Sequence, residues 1–236
     1  MSDAYNTRET VSRAQAVSAF MRGVYAWMAA GLGITAFMAV TVANVPALKE
    51  AVFGTPGVAL VLIIAQLVVV FVLAGRVNRM AAGTATALFL VYSALTGVTL
   101  STIFFRYAQA TITAAFVVSA GMFLVMSIYG TVTKRDLTSM GSFMSMGLIG
   151  IILASVVNIF LHSTAVDMAI SYIGVFVFLG LTAYDTQRFK DMGLYAPVND
   201  AAAMRRGSIL GALTLYLDFI NLFLMLLRIF GGGDRR

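Results

Sequence analysis

The chain has 236 residues, of which 60% are hydrophobic and 11% charged, with a mean hydropathy of +0.92. Soluble domains carry about 25% charged residues, so this composition excludes a soluble domain and indicates a polytopic helical membrane protein. The net charge of +6 comes from basic residues in short loops, which indicates orientation and lipid contact rather than a nucleic-acid partner; the absence of cysteine excludes disulfides and thiolate sites.

Seven apolar segments are long enough to cross a bilayer as helices, which takes about 20 residues. They are predicted at about Phe20–Ala43, Gly57–Gly75, Thr84–Phe105, Thr111–Thr131, Met140–Leu161, Asp167–Gln187 and Gly207–Gly231. Residues 1–19 are polar and mixed in charge, and we expect them to form a cytoplasmic tail rather than a signal peptide. Residues 20–231 are predicted to form a single transmembrane domain, followed by a short C-terminal tail at 232–236.

The placement of basic residues predicts the orientation. With the N-terminus in the cytoplasm, eleven of the sixteen Lys and Arg residues lie inside and five outside, in agreement with the positive-inside tendency. The inside residues are Arg8, Arg13, Arg22, Arg76, Arg79, Lys134, Arg135, Arg188, Lys190, Arg205 and Arg206. Three of the five outside residues follow the middle of the last span, so a last segment that re-enters and leaves on the cytoplasmic side stays open.

The last predicted span, Gly207–Gly231, carries a carboxyl group in its apolar interior. Asp218 stands near its middle, with Thr214 four residues before it and Asn221 three residues after it. This spacing places the three side chains on one face of a helix. An ionisable group at bilayer depth costs roughly 2.5–3.5 kcal/mol on insertion scales and normally faces protein or water. The last helix is therefore predicted to lie inside a bundle.

A second carboxyl group, Asp185, lies near the end of the sixth span. If successive spans alternate in direction, the second and sixth spans both end on the cytoplasmic side, at Arg76 and Asp185, and the seventh begins there. Asp218 is then roughly 16 Å into the membrane, because it lies eleven residues into its span at 1.5 Å per residue. Both acids and one arginine fall in the same half of the membrane, where they could meet.

Two motifs resemble the Bax inhibitor-1 (transmembrane BAX inhibitor motif) family. They are AYDTQ at the end of the sixth span and LTLYLDFINLFLMLLRIFG in the seventh, of which the second is long and specific. GVTLSTIFF in the third span resembles the glycine-containing third helix of the family, in which proline is frequent at the position of Thr102. The similarity extends over the whole transmembrane chain in length, number of spans and basic loops.

The resemblance implies an all-α fold of seven transmembrane helices, with the last helix central and surrounded by the other six. Bacterial members look like pH-sensitive calcium leak channels, in which two aspartates of the last two helices sense protons and an arginine at the end of the second helix pairs with them. The aspartates correspond to Asp185 and Asp218. The arginine corresponds by position to Arg76, or to Arg79 because the loop is slightly longer here. Members often carry an acid within the second span, where the nearest match is Gln66.

Two carboxyl groups in contact would act as a unit. Two carboxylates in a low-dielectric site resist ionising together, so they titrate as a pair. We expect a shared proton to bridge the helices and close a path, and its loss to leave two charges that repel each other or recruit Arg76 or a cation. Ca²⁺ suits such a path because it takes carboxylate and carbonyl oxygens. Asp185 and Asp218 would bind it only transiently, and no resident cofactor is expected.

A structural role is the alternative at each of these positions. An intramembrane aspartate can be protonated and join helices by a hydrogen bond, and arginines such as Arg76 and Arg228 can snorkel to the head groups. Gln66 is expected to form a helix-packing hydrogen bond. Thr214 and Asn221 either line water beside the carboxyl group or pack against neighbours.

An enzyme is not expected. The only histidine, His162, lies at a span end, no H-E-x-x-H occurs, and LYLDFIN lacks the GxGD of intramembrane aspartyl proteases. The remaining alternative is a non-conducting regulator that binds a membrane protease or stress or cell-death factors. A short polar N-terminus without a targeting presequence favours a bacterial plasma (inner) membrane, with the lipid bilayer, protons and calcium ions as partners.

Overall fold

The computed structural model describes residues 2–196 and 200–233, and this part of the chain is helical throughout its regular structure, without strands. Seven of its helices are long and apolar enough to cross a membrane, which confirms the predicted all-α membrane fold. These seven long helices are α1 Ser2–Asn44, α2 Val58–Arg76, α3 Ala82–Leu100, α4 Gln109–Val132, α5 Thr138–Leu161, α6 Thr164–Leu194 and α7 Ala201–Phe230; short helical turns lie between some of them.

Three helices extend beyond the spans predicted for them. α1 begins at Ser2, so the predicted tail is largely helical; α6 continues to Leu194 rather than Gln187, and α7 begins at Ala201 rather than Gly207. Hydropathy detects only the apolar part of a helix, whereas the backbone hydrogen bonds of the same helix can continue into polar turns outside the bilayer. Pro197 and residues 234–236 lie outside the described residues, so the predicted C-terminal tail is described only as far as the turn Gly231–Gly233.

The third span is interrupted after Leu100 even though it has threonine at position 102. The hydroxyl of Ser101 donates to the carbonyl of Val98 at 2.6 Å, and that of Thr102 donates to the carbonyl of Thr99 at 3.0 Å. Such side-chain hydrogen bonds compete with the backbone ladder and bend helices. Two adjacent hydroxyls therefore accompany a break that requires no proline.

The chain divides into two compact units. Unit 1 comprises Met1–Phe105 and Phe189–Thr214, and unit 2 comprises Arg106–Arg188 and Leu215–Arg236. α6 and α7 each contribute residues to both units. The single transmembrane domain over residues 20–231 stays a prediction.

In unit 1, α1 and α3 approach closely through small side chains. A Cβ added at Gly97 would collide with the backbone carbonyl of Thr35, and one at Gly31 would meet the ring of Phe89. The Thr35 hydroxyl donates to the carbonyl of Ser93 at 2.9 Å. Small residues and interhelical hydrogen bonds of this kind hold membrane helices together where lipid is as apolar as the side chains.

In unit 2, α6 packs against α4 and α5 through glycines. A Cβ at Gly130 of α4 would collide with the carbonyl of Ala183, and one at Gly141 of α5 would meet the ring of Tyr184. The contacted residues of α6, Ala183 and Tyr184, are the two that precede Asp185 in the sequence. The backbone that carries this aspartate is therefore held tightly by two neighbouring helices.

The loop before α5 ends in a polar cap. The backbone N–H of Thr138, the first residue of α5, donates to the Asp136 carboxylate at 2.9 Å. Hydrogen bonds from the side chain and the backbone of Thr138 lower the pKa of Asp136. This exposed carboxylate satisfies one of the unpaired N–H groups at the start of a helix.

α7 is the most enclosed of the seven long helices in the described chain. In its most apolar stretch 72% of residues are buried, against 6% in α2 and in α5. Within unit 2 its Phe219 packs edge to face against Phe116 and Phe123 of α4, with ring centroids 5.6 and 5.7 Å apart. α2 and α5 are suited to contact lipid over most of their surface, whereas α7 has the enclosure expected of a central helix.

A candidate site built on two buried carboxyl groups

α6 and α7 each contribute one buried aspartate to unit 2. Asp185 and Asp218 are only 6% and 5% exposed. The two carboxyl groups lie within electrostatic reach of each other. The two acids singled out in the sequence are thus brought into one unit.

One oxygen of the Asp218 side chain is unsatisfied. Oδ2 is buried and has no hydrogen-bond partner among the described residues. A buried polar atom left in this state costs about 1–3 kcal/mol, and more when it is charged. A proton on the carboxyl group, an ordered water or a bound cation would each remove that cost.

Asp185 has a basic partner on its own helix. Nη1 of Arg188 lies 3.8 Å from Oδ1 of Asp185, and the arginine side chain is 54% exposed against 9% for the aspartate. An ion pair of this length with an exposed arginine contributes little stability, but it connects the buried carboxyl group of Asp185 to an exposed side chain one turn further along α6. Sequence reasoning counted Arg188 only as a loop charge, although the i, i+3 spacing was visible.

The arginines predicted to pair with the aspartates lie in unit 1. Arg76 ends α2 and Arg79 ends the short turn that follows, and both side chains are exposed. Their pairing with Asp185 and Asp218 stays a prediction.

Gln66 makes the helix-packing hydrogen bond that was expected of it. Its Nε2 donates to the hydroxyl of Thr99 on α3 at 2.5 Å and to the carbonyl of Leu62 at 3.2 Å. The half-buried amide therefore joins α2 to α3 within unit 1.

Thr214 and Asn221 use their polar groups on the backbone of α7. The Thr214 hydroxyl donates to the carbonyl of Leu210 at 3.1 Å, and the Asn221 amide donates to the carbonyl of Leu217 at 2.8 Å. Both residues are half-buried. Whether they also line water beside Asp218 stays a prediction.

The residues after Asp185 fix its helix to the loop between α4 and α5. Thr186 shares a hydrogen bond of 3.2 Å with Ser127 of α4. Gln187 accepts from the N–H of Leu137 at 2.9 Å through Oε1 and donates to the carbonyl of Arg135 at 2.8 Å through Nε2. The motif AYDTQ therefore supplies packing contacts and two hydrogen bonds from Gln187 to the loop between α4 and α5, here called the loop clamp. Sequence reasoning did not assign these roles.

Arg228, which was expected to extend to the lipid head groups, forms an ion pair, and its approach to the head groups stays a prediction. Its Nη1 lies 3.5 Å from Oδ1 of Asp167, and the two side chains are 36% and 28% exposed. Sequence reasoning missed this pair because the partners stand 61 residues apart, on α7 and α6.

A complete metal cage does not occur in the described part of the chain, where no three His, Asp or Glu side chains are grouped to hold an ion. Ca²⁺ ordinarily takes six to eight oxygen ligands. Transient binding of Ca²⁺ by Asp185 and Asp218 stays a prediction.

Known proteins resemble this chain over nearly its whole length. Residues 17–235 match the family described as "Inhibitor of apoptosis-promoting Bax1". The Inner membrane protein YbhL of Escherichia coli K12 is 55% identical over 213 residues, which cover 90% of this chain and 91% of that protein. A protein of Deinococcus radiodurans is 46% identical over 218 residues, or 92% of each chain, and one of Borreliella burgdorferi is 45% identical over 212 residues, or 90% and 91%.

These matches confirm the resemblance read from the motifs of the last two helices, and the described helices agree with a membrane-spanning chain. The protein therefore belongs to the Bax inhibitor-1 family and is an integral membrane protein.

Proposed function

We propose that this protein is a pH-sensitive cation leak channel of a bacterial inner membrane, with Ca²⁺ as its ion and a proton shared by Asp185 and Asp218 as its gate. The observation that carries the proposal is the buried carboxyl pair of unit 2, in which Oδ2 of Asp218 has no partner among the described residues. The name of the Escherichia coli relative as an inner membrane protein supports the location.

The gate follows from the cost of two buried charges. Ionising both carboxyl groups would place two negative charges within electrostatic reach of each other in an apolar interior, which is unfavourable without a counter-ion. A proton held between them bridges α6 and α7 and leaves the pair with one negative charge instead of two, which lowers the cost of burying it. When it leaves, the pair repels and attracts a cation.

The ion bound at this point must also be able to leave. Two carboxylates provide only part of the oxygen shell of Ca²⁺, and conduction requires binding weak enough for escape. We assign Arg76, or Arg79, as the residue that pairs with the carboxylates after deprotonation, in competition with the entering cation. Arg188 remains at the water-facing end of the pair, where it contacts Asp185.

Reconstitution in liposomes tests this function. The wild-type protein should pass Ca²⁺ at a rate that depends on pH, and Asp185→Asn and Asp218→Asn should each remove that dependence because asparagine cannot exchange the proton. Asp167→Asn is the matched control, since it neutralises an aspartate on the same helix that is paired with Arg228. The control should keep the wild-type pH dependence.

Two results would overturn the proposal. Calcium flux with an unchanged pH profile in both Asp185→Asn and Asp218→Asn would remove the acids from the gate. Silent liposomes from a folded wild-type protein that co-purifies with another membrane protein would instead support the non-conducting regulator.

A further inference from the structure

An open polar cleft of about 340 Å³ lies in unit 2, at the opposite end of α6 from the carboxyl pair. Asp167 in this cleft stands 18 residues before Asp185, about 27 Å along the helix. The volume lies within the range of small-ligand pockets, roughly 300–1,000 Å³. The polar side chains that line it include Arg106, Asn158, His162, Thr164, Asp167 and Arg228.

The described side chains that line this cleft carry more positive than negative charge. Among the described residues, two guanidinium groups, those of Arg106 and Arg228, and one carboxylate, that of Asp167, line the cleft. Nη1 of Arg228 lies 3.5 Å from Oδ1 of Asp167. Arg106 has no ion pair or side-chain hydrogen bond among the described residues. Asn158 accepts from the N–H of Ser163 at 3.0 Å through Oδ1, so its amide N–H groups remain as further donors. A donor set of this kind suits an oxyanion, because guanidinium groups match its oxygens in pairs.

The same composition disfavours a cation. Ca²⁺ would need several carboxylate or carbonyl oxygens, and the carboxylate of Asp167, the single one among the described lining residues, already pairs with Arg228. The net charge of the side chains in this cleft is therefore positive, whereas the aspartate pair further along α6 becomes negatively charged when it ionises.

The position of the cleft favours an amphipathic ligand. It forms where α5 ends at Leu161 and α6 begins at Thr164, and a connection between two membrane-spanning helices is expected to lie outside the hydrocarbon core. Next to it on α5, Ile159, Phe160 and Leu161 are 65%, 79% and 61% exposed. Phosphate groups of lipids lie at this level, and acyl chains would lie against these exposed side chains.

We propose that this cleft binds the phosphate of an anionic phospholipid, with Arg106 and Arg228 on the phosphate oxygens and the end of α5 against an acyl chain. The chemistry recognised is a phosphate group, which a lipid or a soluble phosphate could supply. The position beside exposed apolar residues assigns it to lipid. The site is independent of ion conduction, so it stands or falls separately from the proposed channel.

Lipid binding to the purified full-length protein in detergent tests this site. Native mass spectrometry and thermal stability would be measured with phosphatidylglycerol, phosphatidylcholine and inorganic phosphate. We expect phosphatidylglycerol to bind the wild-type protein preferentially, and Arg106→Gln to weaken this binding about tenfold, since a hydrogen bond to a charged group contributes about that much. Arg106→Lys should restore part of it because it keeps the charge.

Arg135→Gln is the matched control, because it removes an exposed arginine of unit 2 from the loop between α4 and α5. It should bind phosphatidylglycerol as the wild-type protein does. Equal affinity of the Arg106→Gln and Arg135→Gln variants for phosphatidylglycerol would overturn the site. Full stabilisation by inorganic phosphate alone, with no further effect of the lipid, would overturn the lipid assignment.

Discussion

The two ends of the α6 and α7 segments in unit 2 hold aspartates under opposite conditions. At one end Asp167 is 28% exposed and lies 3.5 Å from Arg228 in an open polar cleft. At the other end Asp185 and Asp218 are buried, and the arginine nearest to Asp185 is more than half exposed. The same helices thus carry a paired, partly exposed carboxylate at one end and two buried carboxyl groups at the other. Of these two, Asp185 lies 3.8 Å from Arg188, and Asp218 has one oxygen without a hydrogen-bond partner among the described residues.

The difference shows which charges require a functional explanation. A carboxylate with an adjacent guanidinium and access to water costs little, and such pairs occur widely without a role. A buried carboxyl group such as that of Asp218, with one oxygen that has no hydrogen-bond partner among the described residues, is destabilising unless something supplies the missing interaction. The buried pair, rather than the exposed one, is therefore the candidate for proton exchange.

The largest effect on stability is expected from the packing that holds the buried end. Gly130→Val would place side-chain atoms against the Ala183 carbonyl and should lower the free energy of unfolding by about 1–3 kcal/mol through overpacking. Gly121→Val on the same helix is the control, since nothing lies within 4 Å of its added Cβ. Equilibrium unfolding in detergent measures both, and equal losses would show that the α4–α6 contact does not limit stability.

A smaller, local effect is expected from the loop clamp. Gln187→Ala removes the acceptor of the Leu137 N–H and the donor to the Arg135 carbonyl. At about 1 kcal/mol for a net hydrogen bond, exchange of the Leu137 amide hydrogen should become about fivefold faster. Hydrogen exchange followed by mass spectrometry of the loop peptide tests this, with Gln109→Ala at the exposed start of α4 as control. Unchanged exchange would mean that the loop is held by other contacts.

The smallest effects are expected from the two ion pairs whose arginine is at least partly exposed. Arg228→Gln and Arg188→Gln each remove a partner that is at least about one third exposed, so each should change the free energy of unfolding by less than about 1 kcal/mol. Thermal unfolding of the two variants beside the wild-type protein measures this. A loss well above that value at Arg228 would place the ion pair, and not only the buried pair, among the features that stabilise unit 2.

Much of this fold could be predicted from the sequence because its signals are local. Apolar length predicted all seven helices, and the carboxyl group at Asp218 in an apolar span predicted an enclosed last helix, as its burial confirms. Gln66 was interpreted correctly as a packing residue because one amide in an apolar helix needs a nearby polar partner.

The parts that sequence reasoning missed depend on contacts between distant segments. Three such contacts join residues about 50 or more positions apart. They are the ion pair of Asp167 with Arg228, the packing of Gly130 against Ala183, and the hydrogen bond between Gln187 and Leu137. No periodicity within one helix indicates which turn of another helix will face it. The hydroxyl-supported break after α3 was missed for a different reason, since serine and threonine also occur within unbroken helices.

The shared proton can be observed directly by infrared difference spectroscopy of the purified protein across the pH range in which ion flux changes. We expect the wild-type protein to show a carbonyl band of a protonated carboxylic acid that disappears as the pH rises, and both Asp185→Asn and Asp218→Asn to lose the wild-type form of this transition. If each variant instead left the band and its pH dependence unchanged, the two aspartates would hold no exchangeable proton, and the proposed gate would be wrong.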